Sequence, residues 1–458
     1  MFTSCLGDDD ENLTYYDDMA ITAFSLGELN RYLYVTASNG ADSLVKSKVT
    51  GSTYKFYIDQ LKGEIYNPDS LPYGTDGAHV ICNMTSKNGG NILLKSMTSD
   101  SVRYYSSSDS IDFTSPREFR VIANDGSGYR SYMVRVNIHK EKEDVFTWQQ
   151  MTANSTLGAL TGMKAVALGG KLFVFGSDGT TTLTYVSDET DGNTWTQTTY
   201  NFNGIPAADA YKSATVYDGY IYMPVGNQLM RTQDGSTWEV AGTADFRQLA
   251  GASTTELYAL SNSNTLLVSK DGGASWAEDA LDDSNAKLPV QDISCTSSPL
   301  VTNAKTDRVV LVGSRSLSDY AADSTATVWG NIVEYADGSH DNSWMFYDNT
   351  SRQHQLPRLA GLTTFLYDGK IMALGGKGIG GSTAAAFPHF YCSQDGGISW
   401  SADARITLPA AFSSSATTFA LTVDSRHFIW IVCGESGQIW RGRLSQMGWT
   451  TNQTVFTK

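Results

Sequence analysis

The sequence predicts an all-β chain of 458 residues, in which a small N-terminal β-sandwich is followed by a β-propeller. Three observations indicate this fold class. Glycine (42), tyrosine (24) and tryptophan (10) are plentiful while only 18% of residues are charged, which is typical of proteins with many strands and turns. Short segments between residues 18 and 140 alternate apolar and polar side chains, as half-buried strands do. Beyond residue 145, similar short phrases recur along the chain.

Residues 1–17 are expected to form an acidic tether. They begin MFTSCLGDDDEN, so Cys5 is soon followed by four consecutive acids. Residues 2–5 resemble the lipobox of bacterial lipoproteins, with Phe2 in place of the usual leucine. The resemblance implies a longer signal peptide cleaved before Cys5, a lipid on Cys5, and an acidic signal for the outer side of the outer membrane. The alternative is a solvated acidic tail behind an isolated cysteine.

Residues 18–140 predict a small sandwich of about seven short strands. The segment YKFYID alternates, with Tyr54, Phe56 and Ile58 on one face. Asn-Asp-Gly-Ser at 124–127 separates two further strand-like segments, REFRVIA and SYMVRVNI, and predicts a hairpin turn between them. The charged segment HKEKED that follows has no periodicity, so it predicts a linker.

A propeller is predicted over residues 145–458, where a hairpin phrase recurs first. Its versions are TVYDGYIYMPVG, TFLYDGKIMALGG and ALGGKLFVFG, each with an apolar strand that ends in glycine. Their tight turns fall at residues 218–219, 368–369 and 169–170, which are Asp-Gly, Asp-Gly and Gly-Gly. Such pairs suit the positive φ of two-residue hairpin turns.

A second phrase places an acid shortly before a tryptophan. It is complete in SKDGGASW (269–276) and SQDGGISW (393–400), and shorter or altered in TQDGSTW, TDGNTW and SHDNSW. The tryptophans at 195, 238, 276, 344, 400 and 449 are separated by 43, 38, 68, 56 and 49 residues, whereas propeller blades repeat at roughly 40–50 residues. We therefore expect six blades with insertions in the fourth and fifth, a seventh, degenerate blade being the alternative. The segment DVFTWQQM (144–151) predicts an additional strand that closes the ring.

The second phrase, Ser-x-Asp-x-Gly-x-Thr/Ser-Trp, resembles the Asp-box of sialidase-type propellers, and IMALGGKG followed by Tyr391 and Trp400 is similar to kelch repeats. The segments IDQLKGEIYNPDSLPYGTD and DFTSPREFRVIANDGSGYRSYMVRV resemble the Ig-like modules of Bacteroidetes surface lipoproteins, so the chain resembles such a family of unknown function. The phrase recurs in complete or altered copies along the propeller, which favours a structural role in turns over catalysis. The residues given this structural role are Asp191, Trp195, Asp234, Trp238, Ser269, Asp271, Gly273, Trp276, Ser393, Asp395, Gly397 and Trp400.

Composition and motifs argue against several function classes. The formal net charge of −15 argues against binding nucleic acid, and membrane contact is expected only through a lipid on Cys5. The six histidines lack metal-ligand spacing, and GGKGIGG (375–381) follows a strand without preceding a helix, so we expect neither a metal nor another cofactor. A sialidase would carry an arginine in a Phe/Tyr-Arg-Ile-Pro stretch ahead of the boxes; the nearest stretch, LPRLAG around Arg358, falls too late.

A ligand site is expected on the insertions of the fourth and fifth blades, residues 314–331 and 377–390. Loops on a rigid scaffold often carry function, and exposed aromatic side chains near cations suit glycans or protein surfaces. The candidate ligand-binding residues are Arg315, Tyr320, Trp329, Phe387 and His389. The alternative is that Trp329 and Phe387 only pack each insertion onto its own blade.

The sequence favours a lipid-anchored surface protein that binds a glycan or another surface protein without catalysis. A carbohydrate hydrolase or lyase using carboxylates such as Asp319 or Glu334 is a second hypothesis, and a structural component of a surface complex is a third. A glycosidase predicts two carboxylates about 5–9.5 Å apart near the propeller axis. A binding protein predicts an aromatic patch without such a pair, and a scaffold predicts a large apolar surface.

Overall fold

The computed structural model describes residues 16–36, 42–336, 342–348 and 354–445. The chain divides into two compact units, whose described residues lie between 16 and 143 (unit 1) and between 144 and 445 (unit 2). The predicted lipid site at Cys5 and the last tryptophan of the series, Trp449, lie outside the described residues. No helix among the described residues has the length and apolar character needed to span a membrane.

Unit 1 is an all-β unit whose described residues form ten strands and two short 3₁₀ turns, Gly51–Thr53 and Lys87–Gly89. The strands are β1 (Ile21–Leu26), β2 (Glu28–Thr36), β3 (Asp42–Thr50), β4 (Tyr57–Asp59), β5 (Glu64–Tyr66), β6 (Cys82–Ser86), β7 (Ile92–Lys95), β8 (Val102–Tyr104), β9 (Arg117–Ile122) and β10 (Tyr129–Arg135). Six of them form one sheet in the order β4-β5-β10-β9-β7-β8, in which β5 and β10 run parallel. Strand β1 pairs with β6, and β2 pairs with β3.

The expected count of about seven strands in unit 1 was too low, because β4, β5 and β8 have only three residues each and are too short to show alternation. The alternation in longer strands is confirmed. Tyr132 and Val134 of β10 are fully buried while the residues beside them are exposed or half-buried. Their register places Phe119, also fully buried, opposite Tyr132 in β9. The turn predicted at 124–127 joins these two strands.

Unit 2 is also built from strands, with one helical turn, α1 (Ser155–Gly158), and two 3₁₀ turns, Ala210–Ser213 and Asn285–Lys287. Its strands are β11 (Phe146–Gln150), β12 (Gly162–Leu168), β13 (Lys171–Ser177), β14 (Thr182–Asp188), β15 (Thr196–Gln197), β16 (Thr215–Tyr217), β17 (Tyr220–Val225), β18 (Gln228–Thr232), β19 (Trp238–Thr243), β20 (Gln248–Ala252), β21 (Leu257–Leu260), β22 (Leu266–Ser269), β23 (Ala277–Glu278), β24 (Gln291–Pro299), β25 (Thr306–Ser314), β26 (Thr327–Glu334), β27 (Met345–Phe346), β28 (Thr363–Tyr367), β29 (Lys370–Leu374), β30 (Tyr391–Ser393), β31 (Ser401–Ala402), β32 (Phe419–Val423), β33 (Ile429–Cys433) and β34 (Ile439–Leu444).

The described strands of unit 2 form six four-stranded antiparallel sheets arranged as a β-propeller. Sheets 1 to 5 are β12–β15, β16–β19, β20–β23, β24–β27 and β28–β31, each in chain order. Sheet 6 has the order β32-β33-β34-β11, so its outer strand comes from the start of the unit. This pairing confirms the closing strand predicted at 144–151. The first strands of the sheets contact one another in cyclic order and surround a central channel.

The hairpin turns predicted between first and second strands are present. Asp218 and Gly219 have φ of 46° and 74°, and Asp368 and Gly369 have φ of 50° and 69°. Left-handed backbone of this kind disfavours most side chains but is tolerated by aspartate and glycine. Each turn leads into a second strand whose residues are almost all buried, as in β13, because the second strand lies in the middle of its blade.

Successive antiparallel strands place the loops of each sheet alternately on two faces of the propeller. The first strands begin on what we call the upper face, which also carries the loops between second and third strands. The insertions of sheets 4 and 5 follow second strands and therefore lie on the upper face. The lower face carries the hairpin turns and the third-to-fourth-strand turns at 269–276 and 393–400.

Candidate functional site

A cavity of about 280 Å³, which we call the channel mouth, opens on the upper face where the first strands begin. It continues into a second cavity of about 250 Å³ inside the channel, with which it shares Lys164, Ser294 and Thr363. The volume of the channel mouth lies just below the range for small-ligand sites, which is about 300–1,000 Å³. The lining includes polar, charged and aromatic residues, namely Lys164, Tyr211, Lys212, Gln248, Asp292 and Phe419.

Lys164 projects from β12 into the channel. Its Nζ donates a hydrogen bond to the backbone carbonyl of Lys212, 3.0 Å away, and the Nε2 of Gln248 donates to the same carbonyl at 3.3 Å. Burial lowers the pKa of Lys164 to about 8. Burial also raises the pKa of the Cys295 thiol to about 12, so this neighbour stays neutral at physiological pH.

Asp292 is the one carboxylate among the described residues that line the channel mouth. It lies at a register shift of β24 and has a φ of 50°. Its Oδ1 accepts from the backbone N–H of Gly361 at 2.8 Å, and its Oδ2 accepts from the Nε2 of Gln291 at 3.2 Å. Burial raises the pKa of Asp292, and the nearby cations Lys212 and Arg358 partly offset this by favouring the charged carboxylate.

Two aromatic rings complete the mouth. Tyr211 belongs to a 3₁₀ turn, and its hydroxyl lies so close to Gly162 that a Cβ there would be 2.1 Å from the oxygen. Phe419 is buried at the start of β32. On its other side, its ring lies 5.1 Å from the ring of Phe387, measured between centroids. Phe387 therefore supports the wall of the channel mouth from the insertion of sheet 5.

Arg315 and Tyr320 lie together in the insertion of sheet 4. The Nε and Nη2 of Arg315 donate to the two carboxylate oxygens of Asp323 at 2.8 and 2.9 Å. The guanidinium also lies 3.7 Å from the centroid of the Tyr320 ring. Arg358, which is fully buried, donates to the backbone carbonyls of Tyr320 and Arg315. These contacts hold the insertion in place, and they use two of the five N–H groups of Arg315.

His389, in the insertion of sheet 5, packs against Tyr391 with ring centroids 4.3 Å apart. Burial lowers its pKa, so the neutral imidazole is favoured. The two insertions also touch each other, because the backbone N–H of Gly381 donates to the carbonyl of Asp323 at 2.9 Å. Arg358, which holds the insertion of sheet 4, also accepts with its backbone carbonyl from the N–H of Ile379 at 3.1 Å. The structure thus joins the two predicted insertions into one surface beside the channel mouth.

Trp329 corrects an expectation from the sequence, because it is not an exposed ligand-binding residue. Strand β26 already begins at Thr327, so Trp329 is a strand residue and the insertion is shorter than predicted. The side chain is fully buried, its Nε1 donates to the carbonyl of Lys287 at 3.2 Å, and its ring lies 5.2 Å from Phe346. It packs within its own blade, as the alternative interpretation stated.

The carboxylates named for a possible enzyme do not form a pair. Asp319 follows the C-terminal end of β25, on the upper face. Glu334 pairs in register with Thr306 at the other end of that strand. A nine-residue strand such as β25 spans roughly 27 Å. The two carboxylates therefore lie on opposite faces of the propeller, far outside the separation that glycosidases use.

The Asp-Gly phrases on the lower face use their polar groups within their own turns. Asp271 accepts from the backbone N–H of Ser275 at 2.9 Å and from the hydroxyl of Ser269 at 2.8 Å, and Ser269 in turn accepts from the N–H of Gly273 at 2.8 Å. The same pattern recurs at 393–400. The tryptophans of these turns also bond within them. The indole Nε1 donates to a glycine carbonyl of the same turn, at 2.9–3.1 Å, in Trp195, Trp238 and Trp400.

Sequence reasoning missed Lys164, Lys212 and Asp292. Lys164 is the one charged residue in GMKAVAL, an otherwise apolar strand, and this interruption was the available signal. Asp292 lies in VQDIS, which reads as a strand, and nothing local indicates its left-handed backbone. Among the described residues, no group of three or more His, Cys, Asp or Glu could hold a metal ion.

The fold and the channel mouth define a β-propeller protein with a ligand-sized axial cavity. A family model described as "DUF6242 beta propeller domain" matches residues 142–452, and the "Domain of unknown function (DUF6242) N-terminal domain" matches residues 24–136. The chain belongs to the DUF6242 family. No curated protein is significantly similar to it.

Several solved structures are similar in fold at low identity. A "structural genomics protein of unknown function" from Bacteroides thetaiotaomicron VPI-5482 shares 10% identity with a TM-score of 0.41, covering 80% of this chain and 94% of that one. "YCF48 bound to D1 peptide" shares 14% at a TM-score of 0.36, covering 68% and 97%. A Trichoderma reesei protein of "Carbohydrate-Active Enzymes Family AA12" shares 11% at 0.38, covering 66% and 96%. Similarity at this level does not transfer function.

Proposed function

We propose that the chain is a non-enzymatic binding protein that holds a carbohydrate at the channel mouth. The observation that carries the proposal is the lining of this cavity. Hydrogen-bonding side chains, Gln248 and Lys164 among them, face the same space as the rings of Tyr211 and Phe419. Carbohydrates present both hydroxyl groups and apolar C–H faces, so polar groups beside aromatic surface suit them.

The carboxylates favour binding over glycoside hydrolysis. Retaining and inverting hydrolases of the common kind need two carboxyl groups within about 10 Å. Asp292 is the single carboxylate among the described lining residues, and both of its oxygens accept hydrogen bonds from the protein. The joined insertions, which carry Tyr320 and His389, would extend the contact surface for a longer glycan.

The wider setting of this site is part of the same proposal. The propeller has six blades, which the cyclic contacts of six first strands and the pairing of β11 with β34 support. The turns at 269–276 and 393–400 are Asp-boxes with a structural role, which their internal hydrogen bonds support.

The N-terminal unit is an Ig-like stalk, and Cys5 carries a lipid that anchors the protein on the outer side of the outer membrane. A surface protein is the alternative ligand.

A glycan array probed with the whole chain tests the proposed function. We expect binding to at least one glycan, and we expect Gln248→Ala to weaken it about fivefold, as the loss of one hydrogen bond of about 1 kcal/mol predicts. Gln233→Ala is the matched control, because Gln233 lies on the lower face and bonds to Gly219. Release of reducing sugar, or ultraviolet absorbance of an unsaturated sugar, would contradict the non-enzymatic role. Absence of any glycan binding would favour a protein ligand.

A further inference from the structure

We propose that the channel mouth recognises the anionic group, carboxylate or sulfate, of an acidic carbohydrate through Lys164 and Lys212. This inference rests on the proposed function and adds the class of ligand. The two ammonium groups belong to different sheets, since Lys164 lies in β12 and Lys212 in the 3₁₀ turn ahead of β16. Together they place two positive charges on one cavity in a chain whose formal net charge is −15.

The two lysines are available to a ligand. Within the described part of the chain, neither forms an ion pair with a carboxylate, although many other lysines do. Lys164 donates to one carbonyl, which leaves two of its three N–H groups for a ligand. Asp292, the acid that shares the cavity, is already bonded to Gly361 and Gln291. Asp292 interacts electrostatically with the nearby Lys212, but it is a single carboxylate facing two lysines in this cavity.

The surroundings of Lys164 indicate that an anion would be bound favourably. Removing an ammonium group from water is costly unless an opposite charge compensates it. The lowered pKa of Lys164 reflects this cost. A carboxylate or sulfate between the half-buried Lys164 and the exposed Lys212 would restore the missing interaction through charge-assisted hydrogen bonds, which are stronger than neutral ones.

The other lining groups favour an acidic sugar over a bare anion. Gln248 and Thr363 offer amide and hydroxyl groups, and Phe419 offers a ring, within the same cavity of about 280 Å³. An isolated phosphate or sulfate ion would leave these groups without a partner. A sugar ring that carries an acidic substituent would use the lysines and the neutral groups together.

Binding should depend on pH through Lys164. The ammonium form is favoured below its pKa of about 8, so affinity for the anion should fall as the pH rises from 7 to 9. The titratable groups that face it or share its cavity are Cys295, Tyr211, Asp292 and Lys212. Burial raises the pKa of the Cys295 thiol to about 12 and raises that of the Tyr211 phenol above its usual value, so neither titrates in this range.

The test compares acidic glycans with matched neutral forms on the whole chain. Polygalacturonate is paired with its methyl ester, hyaluronan with its carboxyl-reduced form, and heparan sulfate with its desulfated form. We expect binding to at least one acidic glycan and a loss of about tenfold or more for its neutral counterpart, as expected from losing a charge-assisted hydrogen bond. The carboxylate and sulfate arms distinguish the two sources of charge.

Single substitutions then test whether Lys164 and Lys212 bind the anionic group of the glycan. Lys164→Met and Lys212→Met should each weaken binding of the acidic glycan about tenfold. Lys171→Met, in an exposed lower-face position paired with Asp188, is the matched control and should bind like the unaltered chain. Lys164→Met should also abolish the fall in affinity between pH 7 and 9. Circular dichroism melting of each variant verifies that it is folded.

The outcomes separate the two proposals. Equal binding of acidic and neutral forms, or full affinity in both lysine variants, would overturn the anion site and leave carbohydrate binding standing. Binding confined to neutral glycans would do the same. Failure of every glycan in the array would overturn the proposed function, and the anionic subsite with it.

Discussion

At the scale of single residues, Asp395 shows why an acid in a repeated phrase need not take part in chemistry. Its carboxylate accepts from the backbone N–H of Ser399 at 2.9 Å and from the hydroxyl of Ser393 at 2.8 Å, and Ser393 accepts from the N–H of Gly397 at 2.7 Å. Gly397 has a φ of 94°, which a residue with a side chain rarely adopts. The carboxylate thus stabilises a turn whose left-handed backbone at position 397 requires glycine.

Asp395→Ala should lower the free energy of unfolding by about 1–2 kcal/mol, the usual cost of leaving buried donors without their acceptor. Asp271→Ala is the matched variant and should cost less, because Asp271 is exposed and water replaces its bonds. Chemical denaturation measures both. Glycan binding should be unchanged in both variants, since these turns lie on the lower face. A loss of binding with intact stability would contradict the structural role.

The direction of the pKa shift of Asp395 determines how its contribution to stability changes with pH. Burial tends to raise the pKa of Asp395, but hydrogen bonds from Ser399 and Ser393 outweigh it, and the pKa lies below its usual value of 3.8. A carboxyl group with a lowered pKa in the folded state stabilises the protein above its unfolded pKa, and this stability is lost as the pH falls through the folded value. The difference between Asp395→Ala and the unaltered chain should therefore shrink in acid.

At the scale of elements, two pieces hold the propeller together across long sequence distances. Arg358 is buried between the insertions of sheets 4 and 5, and its guanidinium donates to the carbonyls of Arg315 and Tyr320. Strand β11 pairs with β34 and supplies the outer strand of sheet 6. Trp148 in β11 lies beside Phe390 of the preceding sheet's insertion, with ring centroids 6.4 Å apart, and its Nε1 donates to the carbonyl of Thr407 at 2.6 Å.

Trp148→Ala should destabilise unit 2 by about 2 kcal/mol, because it removes a half-buried ring and a hydrogen bond from the closing strand. In this variant, the backbone amides of Ile439–Leu444, which pair with β11, should exchange with solvent faster than in the unaltered chain. The amides of sheet 3 should show a smaller increase. Thr147→Ala changes an exposed neighbour on the same strand and is the control. Equal acceleration in all sheets, or none in β34, would show that β11 does not close the ring.

At the scale of the whole molecule, local patterns predicted the architecture and failed at the site. The Asp-Gly turns were predictable because a two-residue turn is determined by its own residues, as at Asp218 and Gly219. The channel mouth was not, because Lys164, Lys212 and Asp292 come from three separate parts of the propeller and meet only when the ring closes. Trp329 was misplaced because the end of an insertion depends on where the next strand resumes.

At the scale of the whole chain, we also predict that the protein attaches to a membrane and that this attachment depends on Cys5 alone. A net charge of −15 gives no attraction to anionic headgroups, so in this prediction the affinity comes from a lipid on Cys5. When the chain is expressed behind a lipoprotein signal peptide, Cys5→Ala should move it from the membrane fraction to the soluble fraction and abolish labelling by palmitate. Cys295→Ala, which alters a thiol inside the channel, should do neither. High salt should not release the unaltered protein, because the attachment is hydrophobic; persistence of Cys5→Ala on membranes would refute the anchor.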